Sequence, residues 1–433
     1  MAAIAASISL LPSCAKKEGC TDIAATNYNA DADKDDGSCT YDTGVKTGEL
    51  TANETWTADN IYFLQGRVVV PNGITLTIEA GTIIKGKQGQ ETNASALVIA
   101  RGGKIMAVGT AASPIIFTSE LDNIKLGEKV GTNLTRTDNE KWGGIVILGA
   151  APVSTENGDT EGNIEGIPAN LSYGAYGGSD AADNSGVLKY VSIRHGGITI
   201  GEGNELNGLT LGGVGTGTDI SNIEIYATLD DGVECFGGTV NMDNILVYFQ
   251  GDDGIDLDQN YAGTISNFAV LHGDGIGTDE GLEIDGPEGS TNITGQFHLL
   301  NGLCRSVGSS DGTPADFKSK AQGLVHNVTF DYSSVGGKNV KVRASYINGC
   351  ADPKTDAFTH LTDNSATLTF TNSQFDGITV YTASDDGATP PNNCSVSSAD
   401  QTAAEAAVTS GTGGTIDPSA LFDWTAAGLR GEL

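Results

Sequence analysis

Three consecutive stretches in the middle of the chain decide its fold: SNIEIYATLDDGVECFGG (221–238), MDNILVYFQGDDGIDLDQNYAG (242–263) and ISNFAVLHGDGIGTDEGLEIDG (265–286). Aligned on one another, the stretches place Ile223, Ile245 and Phe268 at one position, with spacings of 22 and 23 residues. Each stretch holds short runs of β-forming residues separated by Asp, Asn and Gly, which favour turns. A self-similar period of this length is typical of a stacked repeat protein.

The repeat length predicts a parallel β-helix in which one coil holds three short strands. A propeller blade needs about twice as many residues, and leucine-rich repeats need Leu and Asn at fixed offsets that these stretches lack. Successive coils of a β-helix stack at the ordinary strand spacing of about 4.8 Å, so apolar side chains line up in ladders through the interior. We therefore predict an all-β fold, a right-handed parallel β-helix.

Outward from the repeat, short apolar runs of the same kind continue across residues 46–433. Runs such as 68–70 (VVV) and 97–99 (LVI) are followed by turn residues, as expected of short strands. The segments near 120–141 and 150–186 are polar and rich in Gly and Asp. We predict that both are loops that project from the coils, where solenoid proteins carry their function.

The end of the chain differs from the repeat. Residues 400–411 (DQTAAEAAVTSG) have the composition of a helix. Because a stacked coil exposes unpaired strands at its ends, these ends must be covered. We expect Phe422 and Trp424 to seal the far end.

Charge narrows the range of partners. The 433 residues include 55 Asp and Glu against 23 Lys and Arg, which gives a formal charge of −32. Such a surface repels nucleic acid and anionic membranes and attracts cations. A solvated acidic surface that only keeps the protein soluble is the alternative interpretation.

The N-terminus reads MAAIAASISLLPSC, and its last four residues resemble a bacterial lipobox that ends at the lipid-bearing Cys14. The resemblance implies that residues 1–14 are a signal peptide and that the protein is exported to the outer membrane or cell surface. No Lys or Arg precedes the apolar run, so the basic start of a signal peptide is missing. A disordered N-terminus with a stray cysteine is the alternative. No later stretch reaches the ~20 apolar residues of a membrane helix, so we expect membrane contact through the lipid only.

Residues 15–45 read as a separate small module, with clustered carboxylates inside a loop bracketed by Cys20 and Cys39. Oxygen ligands at this density suit Ca²⁺, and the bracket suits a disulfide in an oxidising compartment. The proposed calcium ligands are Asp31, Asp33, Asp35 and Asp36. The module resembles thrombospondin type 3 repeats and a Cys-bracketed repeat of Bacteroidetes surface proteins. An acidic flexible spacer is the alternative.

The Asp pairs of the repeat resemble the motifs of polygalacturonases, which are β-helix hydrolases. Gly251-Asp252-Asp253 matches that family's Gly-Asp-Asp, while Leu229-Asp230-Asp231 and Leu271-His272-Gly273 match two other motifs in part. The resemblance covers roughly 45 residues and implies an inverting hydrolase site. Its candidate catalytic residues are Asp231, Asp252, Asp253 and His272.

The polygalacturonase resemblance ends at the fourth motif. Arg305 is followed by Ser306 and Val307, so the lysine that would hold a substrate carboxylate is absent. Pectate lyases share the predicted fold and use Ca²⁺ with an Arg base, but Arg194 and Arg305 are the nearest arginines to the Asp pairs. Neither resemblance therefore commits the chain to catalysis.

The structural interpretation of the same Asp residues is that each caps a tight turn, with Gly232 and Gly254 supplying the turn. Stacked turns place carboxylates about 5 Å apart, which is unfavourable unless a proton or a cation lies between them. Ca²⁺ bridging among Asp231, Asp253 and Asp256 is an intermediate hypothesis.

Four further cysteines are spread through the β-helix. They are Cys235, Cys304, Cys350 and Cys394. Two disulfides, or burial as small apolar residues, both fit this spacing.

Over some 350 residues the chain resembles exported Bacteroidetes β-helix lipoproteins, through TLTIEAGTIIKG, GGKIMAVGTAASPIIFTS and the closing FDWT. The resemblance implies fold and location, because the function of that family is largely unknown. We favour a non-catalytic surface protein that binds glycan, a partner protein or its own copies. A polysaccharide hydrolase or lyase is the alternative, and the oligomeric state stays open.

Overall fold

The computed structural model describes residues 16–21, 29–38, 44–89, 93–201, 204–273, 277–308, 312–363, 367–385, 389 and 392–433. The chain divides into two compact units, Met1–Gly44 and Val45–Leu433. None of the helices in these ranges is both long and apolar enough to cross a membrane.

The strands are short and follow one another through the whole second unit. In chain order the first fifteen are β1 (Gly44–Glu49), β2 (Glu54–Trp56), β3 (Ile61–Val70), β4 (Thr75–Ile78), β5 (Ile83–Gly86), β6 (Ala96–Ile99), β7 (Lys104–Val108), β8 (Ile115–Ser119), β9 (Ile145–Leu148), β10 (Glu161–Asn163), β11 (Ala175–Gly177), β12 (Gly186–Arg194), β13 (Ile198–Gly201), β14 (Asn204–Leu206) and β15 (Leu209–Gly212). The others are β16 (Asp219–Tyr226), β17 (Val233–Phe236), β18 (Asn241–Tyr248), β19 (Ile255–Asp258), β20 (Thr264–Gly273), β21 (Leu282–Ile284), β22 (Phe297–Val307), β23 (Asp316–Phe317), β24 (Gly323–Asp331), β25 (Val340–Ile347), β26 (Asp352–Lys354), β27 (Leu368–Thr371), β28 (Ile378–Thr382), β29 (Ser384–Asp385) and β30 (Asn392–Asn393). The α-helices are α1 (Ala357–Thr362), α2 (Ser398–Ala407), α3 (Pro418–Leu421) and α4 (Ala426–Leu429).

Parallel pairing between successive coils builds three long sheets, which confirms the predicted β-helix architecture. Sheet A contains the second half of β3 and then β6, β9, β15, β17, β19, β21, β23, β25 and β28. Sheet B contains β2, β4, β7, the first halves of β12, β16, β18, β20, β22 and β24, and β27. Sheet C contains the first half of β3, then β5, β8 and the second halves of β12, β16, β18, β20, β22 and β24.

The register in these sheets is the one that the sequence repeat predicts. Ile223 lies beside Ile245 and Ile245 beside Phe268, and all three side chains are buried in the same core. Apolar side chains of successive coils therefore stack on one another along the interior, and burial of these ladders stabilises the fold.

Long strands turn the corner from sheet B to sheet C at an asparagine. Asn222, Asn244, Asn267, Asn301 and Asn327 all have positive φ angles, between 54° and 62°. Asparagine tolerates this left-handed conformation better than most residues because its short polar side chain bonds locally. The side chains also bond along the column, as when Asn301 Nδ2 donates to Asn267 Oδ1 at 2.6 Å.

Helix α2 overlaps the helix that the sequence predicts at residues 400–411. It lies against β28, the last strand of sheet A. The side chain of Gln401 accepts from the amide of Val380 at 3.0 Å and donates to the carbonyl of Ile378 at 2.8 Å. Ala404 and Val408 join the main core. Backbone groups that would otherwise template aggregation on the edge strand β28 are thereby satisfied.

The prediction that Phe422 and Trp424 seal the far end is wrong. Phe422 packs into an apolar cluster with Leu246 and Leu303 on the outer face of sheet C, and Trp424 meets the ring of Tyr190 edge-on at 5.3 Å. The C-terminal segment folds back along the solenoid because sheet C, unlike a solvated sheet, carries apolar side chains on its outer face that must be covered.

Of the four cysteines of the β-helix, one pair forms a disulfide and the other pair is buried as small apolar residues. Cys350 and Cys394 form a disulfide across 44 residues of sequence, whereas Cys235 and Cys304 are buried free thiols. The latter two belong to the interior ladders, where a thiol packs as a small apolar group.

Candidate functional site

Alternating carboxylates cover the outer face of sheet A at its centre. Glu234 on β17 pairs with Asp256 on β19, and Asp256 pairs with Glu283 on β21. Their chain neighbours Val233, Ile255 and Leu282 are fully buried. Since successive strand residues point to opposite faces, three carboxylates stack outside the solenoid on consecutive coils.

A second outer column begins two residues further along each strand. Phe236 pairs with Asp258, and Asp285 follows directly after β21. The next two coils continue this column with basic residues, Lys318 and Arg343, next to the paired residues Phe317 and Val342. Sheet A therefore changes along its length from carboxylates to cations.

The turns that lead from sheet C into sheet A form a third column, and its side chains bond from coil to coil. Asp231 Oδ1 accepts from the amide of Asp253 at 2.9 Å, and Asp253 Oδ1 accepts from the amide of Glu280 at 2.6 Å. Asn207 starts the column by accepting from the amide of Asp231 at 3.1 Å. Stacking of the turns thus uses one oxygen of each carboxylate to satisfy a buried backbone amide.

We call this region the acidic face. It consists of Asp230, Asp231, Glu234, Asp252, Asp253, Asp256, Asp258, Glu280, Glu283 and Asp285. These residues form four triads, each with ligand oxygens within 4.8 Å of one another, and three of the triads are linked by the shared residues Asp231 and Asp256. Coulomb repulsion at this separation is large unless protons or cations neutralise part of the charge.

Burial and mutual repulsion shift the titration of the acidic face. Burial, together with neighbouring carboxylates, raises the pKa of Asp258 and of Asp285 to about 7. Burial and repulsion by Asp230 raise the pKa of Asp231 well above its ordinary value. The same two causes raise the pKa of Asp256, with Asp258 as the nearest repelling group. Without a bound cation, the acidic face therefore keeps part of its carboxyl groups protonated near neutral pH.

Two lysines neutralise one end of the acidic face only. Lys318 forms an ion pair with Glu283 and lies 3.7 Å from Asp285. Lys341 pairs with Glu280; burial would raise the pKa of Glu280, but this pairing outweighs burial and lowers it. Among the described residues, no ion pair reaches the triad of Asp231, Glu234 and Asp256 at the centre.

Segments outside the three long sheets bring further carboxylates to the same place. Glu165 lies in the predicted 150–186 loop, which contains the hairpin β10–β11, and burial with repulsion by Asp230 raises its pKa to about 8. Burial and repulsion by Asp252 likewise raise the pKa of Glu205. These segments therefore add negative charge to the face and leave its centre without a countercharge.

The centre of the acidic face offers a set of carboxylate oxygens to a metal ion. Asp256 Oδ1 is buried and has no hydrogen-bond partner among the residues that the structure describes. A buried carboxylate oxygen without a donor is unfavourable, and a cation removes that cost. Ca²⁺ takes six to eight oxygen ligands, and Glu234, Asp231 and Asp258 stand beside Asp256 to supply them.

The four sequence candidates for catalysis differ in their exposure and in their position. Asp252 is exposed, and its carboxylate lies within 4.8 Å of those of Asp230 and Asp231. Asp231 and Asp253 are buried, and each holds a backbone amide of the next coil. His272 belongs to none of the acidic triads.

His272 is sealed inside the solenoid. Its ring is fully buried and its Nε2 bonds to the hydroxyl of Tyr332. Burial lowers the pKa of His272 to about 4, so the imidazole is neutral near neutral pH. His272 therefore stands apart from the acidic triads, and a joint catalytic role for Asp231, Asp252, Asp253 and His272 stays a prediction.

The two arginines considered for lyase chemistry are both engaged elsewhere. Arg194 is buried on sheet C at 3.7 Å from Glu224, and Arg305 bonds to Asp331 at 3.1 Å. Neither side chain faces the acidic face, since both project from sheet C strands.

The N-terminal unit contains the other set of predicted calcium ligands. Asp31 forms an ion pair with Lys17 at 2.9 Å, and Asp35 and Asp36 accept from the backbone amides of Gly37 and Ser38. Calcium binding there stays a prediction.

Two cysteine assignments involve residues outside the described ranges. Cys20 is buried and disulfide-bonded, whereas its predicted partner Cys39 and the predicted lipidation site Cys14 lie outside the described residues. The Cys20–Cys39 pairing and the lipid on Cys14 therefore stay predictions.

Comparison with known proteins agrees with the architecture. The family model for the pectate-lyase-like β-helix domain matches residues 48–427. Searches of curated proteins and of solved structures gave no match. Because the family match spans nearly all of the second unit, the chain belongs to the family of pectate-lyase-like β-helix domains.

Proposed function

We propose that the acidic face binds Ca²⁺ and, through the bound cation, an extracellular polysaccharide. The observation that carries the proposal is the central triad of Asp231, Glu234 and Asp256, whose oxygens converge within 4.8 Å and which no lysine or arginine of the described residues pairs with. A cation held there by three carboxylates has further coordination positions to fill, since Ca²⁺ takes six to eight oxygen ligands. Hydroxyl or carboxylate oxygens of a sugar chain are suitable ligands for those positions.

The family supports a polysaccharide as the partner, since its name refers to enzymes that act on pectate. The surface chemistry also favours a glycan over a partner protein. Stable protein interfaces are centred on buried aromatic or apolar anchors. The exposed large apolar residues among those described all lie outside strands β17, β19 and β21, which carry the acidic face: Val108, Leu121, Leu126, Ile293 and Leu429.

The way in which the candidate residues are used supports a non-catalytic role. Asp231 and Asp253 hold backbone amides of neighbouring coils, so they stabilise the turns that carry the site. His272 is enclosed. These three residues therefore lack the access to substrate that general acid or base catalysis requires.

We expect polygalacturonate to bind the protein in the presence of Ca²⁺ and to be released by a chelator. Asp256→Asn should weaken this binding at least about tenfold, because a charged ligand to the cation is replaced by a neutral one. Glu79→Gln, which removes an exposed carboxylate elsewhere in the solenoid, is the matched control and should bind normally. Calorimetric titration with and without chelator measures both effects, and binding that persists undiminished in chelator would contradict the proposal.

Hydrolysis is the second candidate, favoured by one observation. Asp230 and the exposed Asp252 lie within 4.8 Å of each other, which is near the carboxyl separation of retaining glycosidases. Burial and repulsion by Asp252 raise the pKa of Asp230 to about 7, as a general acid requires. Release of reducing ends during the same titrations, lost in Asp252→Asn, would assign this function instead.

We also propose that a lipid on Cys14 holds the protein at the outer membrane or cell surface, as in the Bacteroidetes lipoproteins that the sequence resembles. Full-length protein expressed in a bacterial host should fractionate with membranes and begin at an acylated Cys14. Cys14→Ser should appear in the soluble fraction. Mass spectrometry of the N-terminus decides the question, and an unmodified residue preceding Cys14 in the mature protein would refute the lipid anchor.

A further inference from the structure

A groove of about 520 Å³ lies on the outer face of sheet B, away from the acidic face. Its lining comes from β16, β18 and β20 and from the loop before β16. The lining residues are Thr216, Thr218, Asp219, Ile220, Ser221, Asn241, Met242, Asp243, Thr264 and Ser266. The volume falls in the range of small-molecule binding sites, about 300–1,000 Å³.

The groove exists because three consecutive coils carry small side chains where their neighbours carry large ones. Ser221, Asp243 and Ser266 lie side by side in one column of the sheet. The coil before them places Lys189 in that column and the coil after them places Leu300. At about 4.8 Å per coil, the floor between the two ridges is roughly 10 Å wide from the first small residue to the last.

The buried hydroxyl group of Ser221 is the observation that points to a ligand. Ser221 is only 9% exposed, and its Oγ has no hydrogen-bond partner among the described residues. A buried hydroxyl normally finds a partner, because leaving it without one is costly. Since Ser221 lines the groove, a hydrogen-bonding ligand in the groove would supply that partner.

Asp243 stands beside Ser221 and is held in a fixed orientation. Ser266 Oγ and Asn267 Nδ2 both donate to its Oδ1, at 2.7 and 2.8 Å. Oδ2 of Asp243 makes no hydrogen bond within the described part of the chain and remains available as an acceptor. A preorganised carboxylate oxygen next to a hydroxyl suits the paired hydroxyl groups of a sugar ring.

The charge of the groove floor disfavours anionic ligands. Its ionisable residues are Asp219 and Asp243, and the whole chain carries a formal charge of −32. A uronate or phosphate would be repelled. A metal ion is not favoured either, because neither carboxylate belongs to a group of three ligands among the residues searched.

A second depression of about 410 Å³ lies next along the strands. It is lined by Asn244, Asn267 and Asn301 and by the segment from Ile416 to Leu421. Asn244 and Asn267 directly follow the groove residues Asp243 and Ser266 in the chain. A ligand longer than one sugar unit would therefore find further amide donors and acceptors in that direction.

We propose that this groove on sheet B is a binding site for a neutral oligosaccharide, separate from the acidic face and independent of calcium. Ser221 and Asp243 bond hydroxyl groups of the sugar, and Leu300 and Lys189 limit where the chain can lie. The protein would then hold two kinds of glycan on two faces of one solenoid.

The test uses the full chain and a panel of neutral probes: cellohexaose, mannohexaose and xylohexaose, with oligogalacturonate as the anionic comparison. We expect at least one neutral hexaose to bind in the presence of chelator. Ser221→Leu, which fills the groove, and Asp243→Asn, which keeps its shape, should each weaken that binding about tenfold or more. Thr369→Leu, on the outer face of the same sheet beside Leu324, is the matched control and should bind normally.

Circular dichroism and melting curves establish that each variant is folded, and Asp243→Asn keeps the test decisive if Ser221→Leu is not. Binding of a neutral hexaose that both variants retain would overturn the proposal, as would the absence of binding by all three neutral probes at millimolar concentration. Asp256→Asn separates the two sites, because it should weaken calcium-dependent binding of polygalacturonate and leave neutral binding unchanged.

Discussion

Removal of calcium should lower the melting temperature of this protein by several degrees at about pH 8 and have little effect at about pH 5. The reason is the acidic face, where Asp258 and Asp285 have pKa values of about 7. Their folded-state pKa values lie above the ordinary value of 3.8, so the folded state binds more protons than the unfolded chain in this window.

The direction of the pH effect follows from that difference. Stability falls with rising pH wherever the folded state holds the extra protons. Without a cation, stability should therefore decrease from about pH 4 to about pH 7 as these carboxylates ionise against one another. Lys318 and Lys341 offset the repulsion only at the Glu283 and Glu280 end.

Calcium should reverse the loss, because the proposed site exists only in the folded state. A cation at a hundredfold excess over its dissociation constant stabilises a protein by about 2.7 kcal/mol per site. Melting curves at the two pH values, with calcium and with chelator, measure the effect. Superimposable curves at about pH 8 would show that each carboxylate only caps its own turn.

In chelator, Asp256→Asn should change the melting temperature in the direction opposite to that caused by removing calcium from the wild type. In chelator at high pH the variant should melt above the wild type, because one repelling charge is gone from two triads. Addition of calcium should raise the melting temperature of the variant less than that of the wild type, because one carboxylate ligand to the cation is missing. Glu79→Gln should follow the wild type under both conditions.

The second large effect is expected at Glu224, on the opposite side of the solenoid. Glu224 is fully buried on the outer face of sheet C and lies 3.7 Å from the buried Arg194. Its two oxygens accept from the amides of Ala426 and Ala427, at 2.9 and 3.0 Å. One side chain thus neutralises a buried cation and caps helix α4.

Glu224→Gln should lower the free energy of unfolding by about 3–5 kcal/mol, the usual cost of removing one partner from a buried ion pair. The amide leaves Arg194 buried without a countercharge and presents an N–H group to one of the helix amides. Urea denaturation measures the loss, and protease should cleave the C-terminal segment of the variant faster.

Two further variants test this explanation. Glu432→Gln alters a partly exposed carboxylate that accepts from Tyr226, so it should cost less than about 1 kcal/mol. Arg194→Met combined with Glu224→Gln should recover part of the loss, because no unpaired cation remains. A Glu224→Gln variant as stable as the wild type would contradict the role assigned to the ion pair.

The sequence alone determined the fold, and the physical reason is local. A period of 22 and 23 residues with apolar runs between turn residues leaves few architectures open, and the pairs Ile223–Ile245 and Ile245–Phe268 lie in the predicted register. Stacking in register also brings Asp231 beside Asp253 without any information from distant parts of the chain.

The sequence indicates part of the acidic face, but not its full extent. VECF, IDLD and LEID alternate apolar and acidic residues, the signature of strands with one solvated face. Past residue 286 the spacing changes, with 33 residues from Asp285 to Lys318 and 25 from Lys318 to Arg343, so the repeat period alone does not bring these basic residues into the column. His272 matches the order of the polygalacturonase motifs, yet it belongs to none of the acidic triads.

Tertiary structure alone decided what depends on contacts between distant segments. Glu165, in the 150–186 loop, and Glu205, on the hairpin strand β14, reach the acidic face from segments whose sequence has no repeat to align. Trp424 covers sheet C instead of the far end, because the apolar outer face of sheet C competes for it. The sequence period fixes neighbours one coil apart, whereas the paths of loops and of the C-terminal segment are set by which surface gains most from being covered.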